Sequence, residues 1–191
     1  MLRTILAAMM LTVGMTASAA TINNKIFETV AYTVASGEVD AQGFNFKVGD
    51  TASYALNLGG FIKGGMVMTV KSVAADEVVI SQDMDLGFAG KQACEETLNP
   101  NTGEIKKMVC NGQEQNQEKP DFEVVDTKED SVTVPAGTFT CLYIKAKNNK
   151  DNSEVEQWVN PKQIPVFGMV KMLAPTQMGK MDVQLKSFKK N

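Results

Sequence analysis

The sequence contains no histidine. Histidine is the commonest general base and metal ligand in proteins, so its absence excludes Ser-His-Asp and Cys-His catalytic arrangements and histidine-based zinc sites. A basic excess is also missing, since the net charge is −3. Dedicated nucleic-acid binders need positive charge to neutralise phosphates. We therefore expect no nucleic-acid partner.

No hydrophobic run is long enough to span a bilayer, which takes about 20 residues. The N-terminal run, residues 5–13, follows Arg3 and precedes the small residues 17–19. This order is typical of a secretory signal peptide. We predict that residues 1–19 are a signal peptide cleaved near Ala19-Ala20. The mature protein would then be periplasmic or secreted from a bacterium, without a transmembrane segment.

Short runs of alternating apolar and polar residues recur from Thr51 onward. They are separated by clusters of glycine, asparagine, proline or aspartate, a spacing typical of an antiparallel meander. The clearest run is 180–188, which reads as a strand with one solvated face. The predicted strands are 52–58, 66–73, 78–84, 91–98, 104–110, 122–126, 131–134, 138–147, 155–159, 168–173 and 180–188.

Helical periodicity is limited to residues 22–35 and a turn at 161–165, and residues 113–119 read as a mobile linker. About ten strands in one chain of this size imply a large curved sheet, a barrel or a sandwich. We predict a mostly β protein of about ten antiparallel strands with little helix. Residues 48–191 would form this antiparallel β domain, and residues 20–47 an N-terminal segment that packs on the sheet.

All three cysteines, Cys94, Cys110 and Cys141, follow the predicted cleavage point. An oxidising compartment favours disulfides. Cys94 and Cys110 are equidistant from Thr102, within the turn-forming run 99–103. An antiparallel pair centred there places the two cysteines opposite each other, with β-carbons about 4.5–5.5 Å apart. We predict a structural Cys94–Cys110 disulfide and a buried, inert thiol at Cys141.

Two glycine-bracketed loops carry apolar residues at their tips. Phe61 and Ile62 lie in loop 59–65, and Phe88 lies in loop 87–90. Alternate connections of a meander share one end of the sheet, so these loops should meet, while turns 75–77 and 99–103 share the other end. Phe61, Ile62 and Phe88 then form an apolar rim that marks a ligand mouth, a partner site or a membrane surface. The alternative is a lid over the core.

Methionine is abundant, and Met66 and Met68 share one face of a predicted strand. Thioethers suit Cu(I), but methionine more commonly fills irregular apolar space and adapts to varied ligands. We expect no metal and no cofactor. The carboxylates Asp83 and Asp85, like the pair Glu95-Glu96, read as solvated side chains, and we predict no catalytic residue.

Several motifs follow one another in a recognisable order: 48–54 (VGDTASY), 99–104 (NPNTGE), 134–141 (VPAGTFTC), and 157–161 (QWVNP) followed by 168–171 (GMVK). Together they resemble exported bacterial proteins of unknown function with a lipoprotein-localisation-factor-like (LolA/LolB-like) architecture. The resemblance implies that the predicted strands form a single strongly curved antiparallel sheet or half-barrel, whose concave side holds lipid acyl chains in the carriers. It implies no catalytic residues.

These observations predict an exported, non-enzymatic β protein that binds a lipid, an acylated chain or another apolar ligand in a concave sheet. The alternative is a structural or protein-interaction module of the cell envelope, with an envelope protein as its partner and no small-molecule ligand. The residues expected to contact the ligand are Phe61, Ile62, Met66, Met68, Met84, Phe88 and Trp158.

Overall fold

The computed structural model describes residues 45–116 and 121–191. The predicted signal peptide and residues 20–44 of the predicted N-terminal segment lie outside the described residues. Eleven strands form a single antiparallel sheet, and within the described ranges the only helix is a single 3₁₀ turn, Gly87–Ala89. The strands are β1 (Thr51–Leu58), β2 (Ile62–Val73), β3 (Val78–Asp85), β4 (Lys91–Leu98), β5 (Ile105–Cys110), β6 (Gln113–Glu114), β7 (Phe122–Val134), β8 (Gly137–Asn148), β9 (Glu154–Val159), β10 (Met169–Thr176) and β11 (Gly179–Lys189).

The order of strands across the sheet is β6-β5-β4-β3-β2-β1-β11-β10-β9-β8-β7. Strands β1 and β11 are neighbours in the middle of the sheet, with Leu56 opposite Val183. The two edges are β6 and β7, which follow each other in the sequence. The predicted antiparallel meander is therefore confirmed, and it consists of two runs of hairpins joined where β1 meets β11.

The sheet curves strongly without closing into a barrel. The backbone N–H of Ala136, at the tip of the β7–β8 hairpin, donates to the carbonyl of Leu185 in β11 at 3.0 Å. The rings of Phe139 and Phe188 lie edge to face, with centroids 6.4 Å apart. Three strands separate β7 from β11 in the sheet order, so this contact requires the sheet to curl. The predicted curved, mostly β architecture is confirmed.

Strict alternation gives the sheet an inner face, the side on which the core residues of β1 lie. In β1 these are Ala52, Tyr54, Leu56 and Leu58, all at most 2% exposed. The Tyr54 hydroxyl donates to the carbonyl of Met169 at 3.2 Å and so reaches across β11 to β10. Since period-2 alternation places every second residue on one face, the sequence alone defines this face well.

Two predicted boundaries were wrong. Segments 122–126 and 131–134 belong to one 13-residue strand, β7, whose charged centre pairs continuously with β8. Within the predicted linker 113–119, Gln113 and Glu114 form the short strand β6 against β5. In both cases a polar stretch was taken for a loop, although polar residues are compatible with strands at a solvated sheet edge.

The predicted grouping of the loops is confirmed. A Cβ placed on Gly64 would clash with the carbonyl of Asp85, and one placed on Gly87 would lie 3.9 Å from the carbonyl of Lys63, so loops 59–65 and 87–90 meet at one end. At the other end Asn101 donates to the carbonyl of Ala75 at 3.3 Å. Lys106, near the start of β5, donates to the carbonyl of Asp76 at 2.8 Å in turn 75–77.

Candidate functional site

The predicted rim separates into exposed and buried parts. Phe61 is 63% exposed and Phe88 is 81% exposed, whereas Ile62 is 3% exposed and belongs to the core. Glycines with positive φ bracket both tips, including Gly60 at 84° and Gly90 at 101°. Residues other than glycine rarely adopt positive φ angles, so the glycines allow the tight turns that expose the two phenylalanines to solvent. The rim therefore consists of Phe61 and Phe88.

The three predicted methionines lie deep on the inner face. Met66, Met68 and Met84 are at most 2% exposed. Four other methionines in β5, β10 and β11 are as buried on the same face. We call the set the methionine face: Met66, Met68, Met84, Met108, Met169, Met172 and Met181.

Trp158 points away from the methionine face. Its neighbour Gln157 donates to the Met172 sulfur at 3.6 Å, and successive strand residues point to opposite sides. The Trp158 indole N–H donates to the Asp130 carboxylate at 2.8 Å. The ring packs on Tyr143 with centroids 5.0 Å apart. Trp158 and the methionines are therefore separate features of the sheet.

The surroundings of Trp158 favour the charged form of Asp130 and the uncharged forms of Cys141 and Tyr143. The hydrogen bond from Trp158 lowers the pKa of Asp130. Burial, followed by the charge of Asp130, raises the pKa of the Cys141 thiol to about 11. Burial and the nearby Glu156 raise the pKa of Tyr143 to about 12. A thiol with such a pKa is protonated at neutral pH and is a poor nucleophile.

A buried group of polar side chains on the inner face was missed by the sequence reasoning. Gln82 in β3 and Gln92 and Glu96 in β4 are 0%, 6% and 1% exposed. We call these three residues the polar strip. The expectation that Glu96 is solvated was wrong. Alternation with Cys94 and Leu98 in β4 was the signal that could have placed Gln92 and Glu96 inside.

Two members of the polar strip, Gln92 and Glu96, carry unmet hydrogen-bonding capacity. Glu96 lies between Ile80 and Met108 in the strand register, and burial raises its pKa well above the ordinary carboxyl value. The Glu96 Oε2 and Gln92 Oε1 atoms are buried without a hydrogen-bond partner. Each unmet group of this kind costs about 1–3 kcal/mol, and native proteins keep few of them.

The predicted disulfide is present beside the polar strip. Cys94 and Cys110 are direct partners across β4 and β5, with a Cα–Cα distance of 4.1 Å. Cys141 is buried and unpaired by disulfide, as predicted. The bridge fixes β5 to the strand that holds Gln92 and Glu96.

A cavity of about 640 Å³ opens at the end of the sheet where β4 begins. Its lining includes the row of cross-strand partners Ser53, Val67, Asp83 and Ala93 on the outer face of β1 to β4. The Lys91 ammonium, which also lines it, pairs with Asp85 at 2.9 Å. Met66 and Met84 adjoin the cavity but are at most 2% exposed, so it lies on the side of the sheet opposite the methionine face.

Within residues 45–116 and 121–191, no three His, Cys, Asp or Glu side chains are grouped closely enough to hold a metal ion. None of the helical structure described in those ranges has the length and hydrophobicity needed to cross a membrane.

Six chains of known structure match this chain, among them one from Bacteroides fragilis and one from Chlamydia trachomatis. No protein-family model matches the sequence, and no curated protein matches it significantly. A candidate exported protein with a YmcC-like fold from Bacteroides fragilis is 11% identical, with a TM-score of 0.45, over 77% of this chain and 98% of that one. A hypothetical protein from Chlamydia trachomatis is 9% identical, with a TM-score of 0.48, over 76% of this chain and 88% of that one. At such scores neither structure indicates a ligand or an activity for this chain.

Proposed function

We propose that this chain is an exported, non-enzymatic binding protein that holds an apolar molecule, such as a lipid or an acylated chain, against its methionine face. The observation that carries the proposal is the gathering of seven buried methionines on one side of a curved sheet. Methionine is unbranched and polarisable, so a surface built from it can repack around guests of different shape.

Two further observations support this proposal. The Cys94–Cys110 disulfide suits an oxidising compartment outside the cytoplasm. The sequence resemblance to lipoprotein-localisation-factor-like proteins points to the same class of ligand.

Native mass spectrometry of protein purified from its own compartment tests the proposal. We expect a bound apolar molecule, or uptake of one when the purified protein is soaked with lipid extract. Replacing Met66, Met68 and Met84 by leucine keeps volume and hydrophobicity, which usually costs less than about 1.5 kcal/mol per site, but reduces adaptability and should weaken uptake. Val67→Leu, on the outer face of β2, is the matched control. A clean unliganded mass with no uptake would refute the proposal.

A second function is favoured by the exposed rim. Phe61 and Phe88 are 63% and 81% exposed on loops at the same end of the sheet, and exposed aromatic side chains are common at protein contact sites. In this alternative the chain is an interaction module of the envelope that docks a protein through the rim. Photo-cross-linking in intact cells from position 61 should then capture one dominant partner, and a probe at the exposed Val48 should capture none. Equal capture at both positions would contradict it.

A further inference from the structure

The floor of the outer-face cavity consists mostly of small residues. The cavity of about 640 Å³ extends over strands β11, β1, β2, β3 and β4. Four of its lining residues are serine, glycine or alanine: Ser53, Gly65, Ala93 and Ser187. The depression therefore exists because four of the five strands each place a small residue in it.

Gly65 is small for no reason that packing supplies. Glycine weakens a strand interior, and where it occurs it often marks the close approach of another backbone or of a ligand. A Cβ on its neighbour Gly64 would clash with the carbonyl of Asp85, so packing requires glycine there. A Cβ on Gly65 would meet only the Tyr54 carbonyl, at 3.6 Å, and the φ angle of Gly65 is not positive. The space above Gly65 is therefore open to a guest.

The charges that line the cavity are separated by sign. Lys186, on β11, and Asp83, on β3, are both exposed and stand on opposite sides of it. Lys91 and Asp85 pair with each other at 2.9 Å. Within residues 45–116 and 121–191, neither Asp83 nor Lys186 forms an ion pair. A guest with a positive charge near β3 and a negative charge near β11 would complement both side chains.

The strand order sets the distance between these two charges. Strands β2 and β1 lie between β3 and β11, and three strand spacings amount to about 14 Å. The long, flexible stem of Lys186 shortens the gap between the charged atoms. An extended peptide of three residues spans about 10 Å. The two charged groups of a single amino acid are attached to the same Cα and are too close together to reach both sides.

We propose that the outer-face cavity binds a short zwitterionic peptide of about three residues, with its amino terminus at Asp83, its carboxylate at Lys186 and its backbone over Gly65. The Ser53 and Ser187 side chains are cross-strand partners beside Lys186, and their hydroxyls can donate to the same carboxylate. This site lies on the opposite side of the sheet from the methionine face and is independent of the proposed function.

Five ligands test the charges and the length of the guest. Trialanine, N-acetyl-trialanine, trialanine amide, N-acetyl-trialanine amide and alanine are titrated into the ¹⁵N-labelled mature protein at pH 7 and followed by NMR. We expect trialanine to shift the Gly65 and Ala93 amide signals with a Kd of about 1 mM or below. Each ligand that lacks one charge should bind about threefold more weakly, the effect of one exposed ion pair, and alanine should bind more weakly still.

Variants at the two charges show which end of the peptide lies where. Lys186→Gln should weaken trialanine about threefold and leave trialanine amide unchanged, because the amide lacks the carboxylate. Asp83→Asn should weaken trialanine and trialanine amide to the same extent and leave N-acetyl-trialanine unchanged. The matched control is Lys189→Gln, also exposed on β11 but outside the cavity, which should leave every affinity unchanged.

Filling the floor of the cavity tests the position of the backbone. Gly65→Val should weaken trialanine at least about tenfold, because the new side chain occupies the space above the strand. Its control is Ser81→Val, on the same face of β3 but outside the lining, which should bind as the wild type does. Circular dichroism establishes that each variant is folded.

Four outcomes would overturn the assignment. They are no saturable shift with trialanine, equal affinity for N-acetyl-trialanine amide and trialanine, equal affinity for N-acetyl-trialanine and trialanine, and the same loss in Lys189→Gln as in Lys186→Gln. The second would exclude recognition of charge, the third would indicate a simple anion site, and the fourth would indicate only general attraction. The ligand ranking needs only the wild-type protein, so it decides the matter even if Gly65→Val does not fold.

Discussion

Reduction of the Cys94–Cys110 disulfide should lower the stability of the whole sheet. The bridge closes a loop between residues 16 apart in sequence. In the chain-entropy treatment, a loop of this size stabilises the folded state by about 3 kcal/mol at 25 °C. For a domain of this size, each kcal/mol shifts Tm by about 2–4 °C, so reduction should lower Tm by about 6–12 °C.

Calorimetry and urea unfolding of the oxidised and the reduced protein measure this difference. Cys94→Ala/Cys110→Ala should resemble the reduced protein and should not respond to reductant. Cys141→Ala, which removes the buried free thiol, should respond as the wild type does. If the unfolding midpoint does not move on reduction, strand β5 does not unfold together with the rest of the sheet and the reasoning is refuted.

Three other substitutions test separate parts of the structure. Because burial raises the pKa of Glu96, the folded state holds this proton to higher pH than the unfolded state does, and wild-type stability should fall as pH rises above the unfolded carboxyl pKa. Glu96→Gln should remove that fall. Urea unfolding midpoints from pH 4 to 8 check this, and the control variant Glu95→Gln should behave as the wild type does. Gly168→Ala should destabilise the folded protein by more than about 1 kcal/mol, since the Gly168 φ is 69° and the new Cβ would lie 2.6 Å from the Pro161 Cα. Urea unfolding measures this loss, and an unchanged midpoint would contradict the prediction. Asp50→Ala should lower the free energy of unfolding by about 1–3 kcal/mol, because the buried carboxylate accepts a hydrogen bond from the Asn191 N–H at 2.7 Å. Thermal unfolding measures this loss, and the control Asp83→Ala, on the outer face, should change the free energy of unfolding little.

Local patterns predicted most of the sheet because each hairpin is a local feature of the sequence. The disulfide could be predicted for the same reason, since Cys94 and Cys110 flank one turn and pair directly. The centre of β7 was missed because the run Lys128-Glu129-Asp130 has the composition of a loop, yet it pairs with Tyr143, Leu142 and Cys141 of β8. Charged residues at a sheet edge protect it from unwanted pairing, and edge position cannot be read from composition.

The candidate site was harder to predict than the fold. Met66, Met68 and Met84 were expected to contact a ligand in the concave sheet, and the structure places them on the inner face, at most 2% exposed. The resemblance to lipid carriers and the contribution of each predicted ligand-contact residue stay predictions. Glu96 was missed because two adjacent glutamates suggest solvent exposure, and residue type outweighed the strand alternation that buries one of them.

The meeting of β1 and β11 in the middle of the sheet has a consequence for how the chain could be rearranged. All other neighbouring strands in the sheet are consecutive in sequence, and Asn191 lies against Asp50 with an N–H to carboxylate distance of 2.7 Å. A circularly permuted chain that starts at β7, continues from β11 through a linker into β1, and ends at β6 would form the same sheet with every strand next to its predecessor. Its average contact would be more local, so such a chain should fold faster than the natural order.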